Sequence, residues 1–237
     1  MRIIANCQQI EKYSIISKSD SRFLIMRNFF ISFIASLLVS CGGGELPVPH
    51  SINEKDSLVI IVQPLGTVSW DYQHEVAEAL RIHYSARVSI AETIALPEHA
   101  RSPFARERYR ADTLLRFLNL HLPEGTDRIM GLTTVDITTT KSKEPQWKYR
   151  DWGIFGLGQC PGDACIVSSF RLGARNASAE LKRERLRKIA VHEIGHTFGL
   201  PHCRNEKCIM NDAAEKIATI DAEKENLCSD CKRLVLR

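Results

Sequence analysis

The stretch His192-Glu193-Ile194-Gly195-His196, followed by Gly199, Pro201 and His202, constrains this chain more than any other feature. Residues four apart on an α-helix are offset by about 40°, so His192 and His196 project their imidazoles from one face toward one point. Glu193 sits one position along, beside that point. Gly199 lets the chain turn sharply, and Pro201 stiffens the return that brings His202 in as a third donor. Three neutral imidazoles with one open position suit a catalytic zinc, whereas a structural site is closed by a fourth protein ligand. Zinc in such a site lowers the pKa of bound water toward about 7 and polarises a carbonyl, which leaves Glu193 the part of general base. Two histidines and a glutamate alone are a weak signal, because so short a pattern recurs in unrelated chains. The glycine and the third histidine at these offsets make it a strong one.

A second donor set follows at once. Cys203 comes directly after His202, Cys208 five positions later, and Cys228 and Cys231 form a C-x-x-C pair. Four thiolates in two short-spaced pairs suit a closed tetrahedral zinc site that contributes folding energy. In an oxidising compartment the same four cysteines could form two disulfides instead. Zinc is the preferred reading, giving two ions per chain, one catalytic and one structural.

Between residue 57 and these motifs the pattern alternates strands and helices. Leu58 to Val62 is a buried strand ended by Pro64 and Gly66, and Val76, Ala79, Leu80 and His83 follow helical spacing. Arg87 to Leu96 reads as a strand, Arg106 to Leu120 as a helix and Arg128 to Thr138 as a strand. Trp152 to Leu157 and Cys165 to Phe170 pair as a hairpin across Cys160-Pro161-Gly162-Asp163. A long helix runs from about Ser178 to Phe198. The order is that of an α/β fold with helices on a mixed, twisted sheet. His74, His83, His99 and His121 are scattered and read as surface or satisfied core residues. There is no glycine-rich phosphate loop and no nucleophilic serine motif.

The stretch His192 to Cys231 resembles the extended signature of the archaemetzincins, a branch of the metzincin metallopeptidases, and Trp152 to Leu172 is similar upstream. The resemblance implies a metzincin-like zincin fold, with the active-site helix between an upper subdomain and a short C-terminal one that carries the four-cysteine zinc site. Met210 would occupy the Met-turn and pack beneath the three histidines rather than bind metal. The implied activity is that of a zinc-dependent peptidase. Metzincins bind a peptide or protein substrate as an added antiparallel strand on a sheet edge, and residues 152 to 158 or 165 to 170 are the candidates here. The tyrosine that follows the Met-turn in some metzincins is absent, since Asn211 follows Met210.

The net charge of +4 over 237 residues misleads, because residues 1 to 41 hold five basic against two acidic side chains, a balance of +3. The remainder sits near +1, which gives no electrostatic reason to expect nucleic acid as a partner. Its one basic cluster, Lys182-Arg183-Glu184-Arg185-Leu186-Arg187-Lys188, reads as a solvated helix face. Phe29 to Val39 is an apolar run too short to span a bilayer, which takes about 20 residues. Preceded by Met26-Arg27 and ended by small residues before Cys41, it reads as a signal segment, residues 1 to 40, of bacterial lipoprotein type. Met26 is the expected start, with residues 1 to 25 untranslated. Acylated Cys41 would anchor the chain to a membrane, placing it in the bacterial cell envelope outside the cytoplasm. Residues 41 to 56 read as a flexible tether and 57 to 237 as one catalytic domain, expected to be a monomer. An envelope location favours a small disulfide between Cys160 and Cys165 over two free thiols. Two rival functions share these residues: hydrolysis of other amides such as cell-wall cross-links, and a non-catalytic zinc-containing binding module. An intact Glu193 argues against the latter.

Overall fold

The computed structural model describes residues 57–174, 176–212 and 216–235. The expected signal segment, the start at Met26, the anchor at Cys41 and the tether lie outside the described residues. Among the described residues no helix is long and apolar enough to cross a membrane.

The run Val59-Ile60-Ile61-Val62 needs apolar cover on both faces, and β1 (Val59–Leu65) is accordingly interior to a five-stranded sheet. The strand order is β2 (Arg87–Ile90), β1, β4 (Arg128–Thr133), β8 (Ala164–Ser168), β7 (Gly156–Gly158). All pairs are parallel except β7 with β8, where Gly156 lies opposite Val167 and Gly158 opposite Cys165. Side chains alternate between two cores. Ile60, Val62, Met130, Leu132, Cys165 and Val167 face α1 (Trp70–Tyr84) and α4 (Ala179–Thr197). Leu65, Ile129, Ala164 and Ile166 face α2 (Ala111–Leu120). A second sheet holds β3 (Arg108–Arg110), β5 (Asp136–Thr139) and β6 (Trp152–Ile154) in that order. Three short helices, α3 (Gln146–Tyr149), α5 (Ile217–Ala222) and α6 (Ser229–Val235), complete the fold.

Several boundaries differ from those read in the sequence, each for a physical reason. β1 continues through Pro64, because β2 ends opposite Val62 and the missing N–H therefore breaks no bond on that side. The strand read over Arg87 to Leu96 stops at Ile90, with Ile94 returning as a single bridge to Leu65. The segment Arg106 to Leu120 is helical only from Ala111; Arg108 to Arg110 pairs with β5. The strand read over Arg128 to Thr138 is two strands in different sheets. Alternating burial looks the same whichever sheet supplies the cover. Likewise Trp152 to Ile154 pairs with β5, and only Gly156 to Gly158 closes the hairpin on β8.

The expected Cys160–Cys165 disulfide does not form. Cys165 is a free thiol with no exposure, turned into the core beneath α4, while the Cys160 sulfur lies beyond the strand end, 3.7 Å from the Leu200 carbonyl.

The basic cluster on α4 is not a solvated face either. Arg185 is 1% exposed and binds Asp221 of α5 through two bonds of 2.7 and 2.8 Å, with further bonds to the carbonyls of Leu172 and Ala174. Lys188 donates to the Ile220 carbonyl at 3.0 Å, and Arg187 reaches Glu75 of α1 at 2.8 Å and Glu225 at 3.0 Å. Partners 32 to 112 residues away are invisible to a local charge count. These ties clamp the N-terminal half of α4 between α1 and the C-terminal segment.

Removing one partner of a buried ion pair leaves the other charge uncompensated. Asp221→Ala should therefore destabilise the protein by about 3 kcal/mol in urea unfolding, and Arg185→Met by clearly less. The reverse ranking would show that the Arg185 bonds to the two carbonyls dominate.

Candidate active site

Helix α4 starts where the Ser178 hydroxyl accepts the Leu181 N–H at 3.1 Å. It ends in a paired turn. The Gly199 N–H donates to the His196 carbonyl at 2.7 Å and the Leu200 N–H to the Gly195 carbonyl at 3.2 Å, with Gly199 at φ +82°. This C-terminal stop places the Leu200 carbonyl where His196 Nδ1 donates to it at 2.7 Å. His192 Nδ1 donates to the Ile209 carbonyl, also at 2.7 Å. With both Nδ1 atoms occupied as donors, both Nε2 atoms carry bare lone pairs. They stand 3.0 Å apart.

His202, returned by Gly199 and Pro201, completes the group, and one donor atom from each of the three histidines lies within 4.8 Å of the others. The ring centroids are 4.7, 5.0 and 5.3 Å apart. Beneath them Met210 is fully buried, its sulfur against Gly195, where a side chain on residue 195 would collide. The Tyr84 hydroxyl supports the same turn of helix through a 2.6 Å bond to the Val191 carbonyl.

The donor set fits zinc. Nitrogens about 2.0 to 2.1 Å from a tetrahedral zinc stand roughly 3.3 Å apart, close to the 3.0 Å between Nε2 of His192 and Nε2 of His196. Two lone pairs facing each other at 3.0 Å repel unless a cation lies between them. Burial, then the neighbouring His196, holds His192 well below the usual imidazole range, and burial brings His196 down to about 4, so both are neutral at pH 7. Glu193, 8% exposed, is pushed up to about 8 by burial, opposed by the Gly158 N–H that donates to its carboxylate. A positive charge in the histidine cage is what would restore ionisation of that carboxylate at neutral pH.

The second donor set also converges. Cys203 Sγ lies 3.8 Å from Cys228 Sγ, and Cys208 Sγ 3.8 Å from Cys231 Sγ, with all four sulfurs within 4.8 Å of one another. Sulfurs at 2.3 Å from a tetrahedral zinc stand about 3.8 Å apart, whereas a disulfide holds them at about 2.05 Å. All four are free thiols, so the alternative of two disulfides is not realised. Backbone N–H groups of Asn205 and Cys228 point at the sulfurs of Cys203 and Cys208, at 3.4 and 3.3 Å. Burial opposes ionisation of Cys228, but the hydrogen bonds it receives from the Cys231 backbone and the neighbouring thiols outweigh it and bring Cys228 down to about 7. Burial pushes Cys208 and Cys231 up. Four thiolates this close need a dication to coexist.

Of the two candidate edges, β8 is interior and β7 is, among the described residues, the free edge of its sheet. The ladder to β8 uses Phe155, Leu157 and Gln159, so the peptide groups of Gly156 and Gly158 face outward. Both glycines are required by close approach to α4. A Cβ on residue 158 would lie 2.5 Å from the Glu193 carbonyl oxygen and 2.9 Å from His196 Cβ, and one on residue 156 would lie 2.6 Å from Glu193 Cγ. The reading of the sequence missed these two residues, although alternating glycines in a strand signal close backbone approach. His74, His83, His99 and His121 join neither group: His74 bonds the Trp70 carbonyl, His121 the Phe117 carbonyl, and His83 faces Glu225.

Gly158→Ala meets rigid backbone and should cost about 1 to 3 kcal/mol of stability in thermal unfolding. Gly156→Ala meets only the Glu193 side chain, so it should fold almost normally yet lower turnover of a peptide substrate roughly 100-fold by displacing the carboxylate. Full activity of Gly156→Ala would show that the carboxylate position is not critical.

Comparison with known proteins agrees with this architecture. Residues 70–237 match the model of peptidase family M54. The archaemetzincin of Haloarcula marismortui is 34% identical over 182 residues, spanning 74% of this chain and 98% of that protein. That of Haloquadratum walsbyi is 31% identical over 75% of this chain and 99% of its own length. The crystal structure of archaemetzincin from Methanopyrus kandleri superposes with a TM-score of 0.64 at 29% identity, covering 79% of this chain and 98% of that one. With the family matched over most of its length and both donor sets assembled, the chain belongs to peptidase family M54, the archaemetzincins, and is a zinc metallopeptidase.

Proposed function

We propose that this chain hydrolyses peptide bonds with Glu193 as general base, His192, His196 and His202 holding a catalytic zinc, and Cys203, Cys208, Cys228 and Cys231 holding a second, structural zinc. The observation that carries the reading is the convergence of three histidines, two of them with Nδ1 fixed by backbone carbonyls, with a buried carboxylate next to them on the same helix. Zinc in the cage supplies acidification of a water molecule and polarisation of the scissile carbonyl. Glu193 takes the proton of the attacking water and returns it to the leaving amine. Its carboxylate is held for that task by the Gly158 N–H and by the tight seating of β7 on α4. The outward N–H and carbonyl of Gly156, with the Gly158 carbonyl, give an extended substrate an edge to pair with as an added strand. Met210 serves as the packed floor of the site rather than a ligand.

The same reading includes an address. The apolar run Phe29 to Val39 before Cys41 supports export and acylation of Cys41, with the catalytic domain acting in the bacterial cell envelope as a monomer. Failure of Cys41→Ala to change membrane association would remove the anchor from this account without touching the catalytic one.

The direct test exposes the zinc-loaded protein to a mixed peptide library beside Glu193→Ala, with products read by mass spectrometry. Glu193→Ala should retain zinc and turn over roughly 100- to 10,000-fold more slowly. His192→Ala and His202→Ala should each lose one zinc. Equal cleavage by wild type and Glu193→Ala would take Glu193 out of the mechanism.

A further inference from the structure

Each imidazole of the cage needs its Nδ1 proton held, so that the ring faces inward with Nε2 bare. His192 and His196 use backbone carbonyls at 2.7 Å. His202 has a different neighbour. Its Nδ1 faces the carboxylate of Asp212, with Oδ1 at 3.8 Å. The meeting is built into the turn that carries Met210. The Cys203 N–H donates to the Met210 carbonyl at 2.7 Å, Asn211 Nδ2 donates to the Cys203 carbonyl at 3.0 Å, and Cys203 and Asn211 form a parallel bridge. The residue after His202 is thus laced to the residue before Asp212, and the two side chains are brought together from opposite ends of that lacing.

We infer that Asp212 is a positioning residue for the histidine cage: its carboxylate, at ion-pair rather than hydrogen-bond distance from His202 Nδ1, favours the ring protonated at Nδ1 and so orients it for zinc binding through Nε2. The inference rests on the assignment of His202 as a zinc ligand made above. A carboxylate behind a metal-bound imidazole raises its donor strength as well as orienting it, and loss of such a partner lowers metal affinity by about 10- to 100-fold. The Asp212 side chain is 59% exposed, so its removal opens no core cavity and its contribution to folding is small. A residue that holds only the fold together would show the opposite balance.

The test is made on the zinc-loaded protein with Asp212→Asn and Asp212→Glu. Zinc stoichiometry and affinity are measured by competition with a chromophoric chelator, and kcat and KM on a peptide that the wild type cleaves. Asp212→Asn should weaken one of two zinc ions by about 10- to 100-fold while the thiolate-bound ion is unaffected. At saturating zinc kcat should fall with KM changed by less than about twofold, and Asp212→Glu should recover most of the lost affinity. Wild-type zinc affinity in Asp212→Asn overturns the inference and leaves the zinc-peptidase reading intact. Equal weakening of both ions overturns it too, by assigning Asp212 to the fold. A wild type whose histidines take up no zinc fails the underlying reading instead, and the unvaried protein alone reveals that outcome.

Discussion

Two unprotonated imidazole nitrogens facing each other at 3.0 Å inside a desolvated helix are tolerable only around a cation, and much of the surrounding structure serves to keep them there. Neither ring can turn away. Rotation of His192 would break its bond to Ile209, and rotation of His196 its bond to Leu200. The Leu200 carbonyl exists at that point only because Gly199 adopts a positive φ and ends α4 with two backbone bonds. The Ile209 carbonyl exists at its point only because the next residue, Met210, is buried against Gly195. Helix stop, glycine turn and methionine floor are therefore one device, in which each backbone acceptor is aimed by the packing of the residue beside it.

The segment that supplies these acceptors is short. The described residues from 198 to 235 hold two helical pieces of six and seven residues, too little to bury a core alone. Chains below about 40 residues ordinarily need metals or disulfides to fold. Here the four converging thiols provide one staple, at the spacing of a tetrahedral metal site. The other is ionic: Arg185, Arg187 and Lys188 reach from α4 to Asp221, Glu225 and the Ile220 carbonyl. The thiol staple ends at Cys203, the neighbour of His202 in sequence, while the ionic one holds the same C-terminal segment to α4. Ordering of the third histidine thus depends on elements that carry no catalytic group.

What could be read from the sequence follows the range of the interactions involved. The long helix was legible to within a residue at each end, because its cap at Ser178 and its stop at Gly199 are local chemistry. The mixed α/β layout and the spacing of both donor sets were legible for the same reason. The two-sheet arrangement was not. Val135 lies between strands of different sheets, and no local pattern records which partner a strand finds. The charges of α4 were misread on the same ground, for Arg187 pairs with Glu75 across 112 residues. Gly156 and Gly158 were overlooked because a missing side chain has meaning only once the helix beneath it is known.

Those glycines also bear on why the proposed base sits where it does. A carboxylate buried as Glu193 is loses its charge at neutral pH unless something favours the ionised form, and burial pushes it up to about 8 even against the Gly158 hydrogen bond. The Gly158 N–H offsets part of that by donating to the carboxylate, yet a donor can approach only if the strand rests directly on the helix. Any side chain at residue 158 would lift the strand and withdraw the donor. The same strand presents its outward peptide groups along the free edge where the proposed substrate pairs. Substrate alignment and charge on the proposed base are therefore set by a single spacing, the distance between one edge strand and one turn of helix. A change that widens it disturbs both at once.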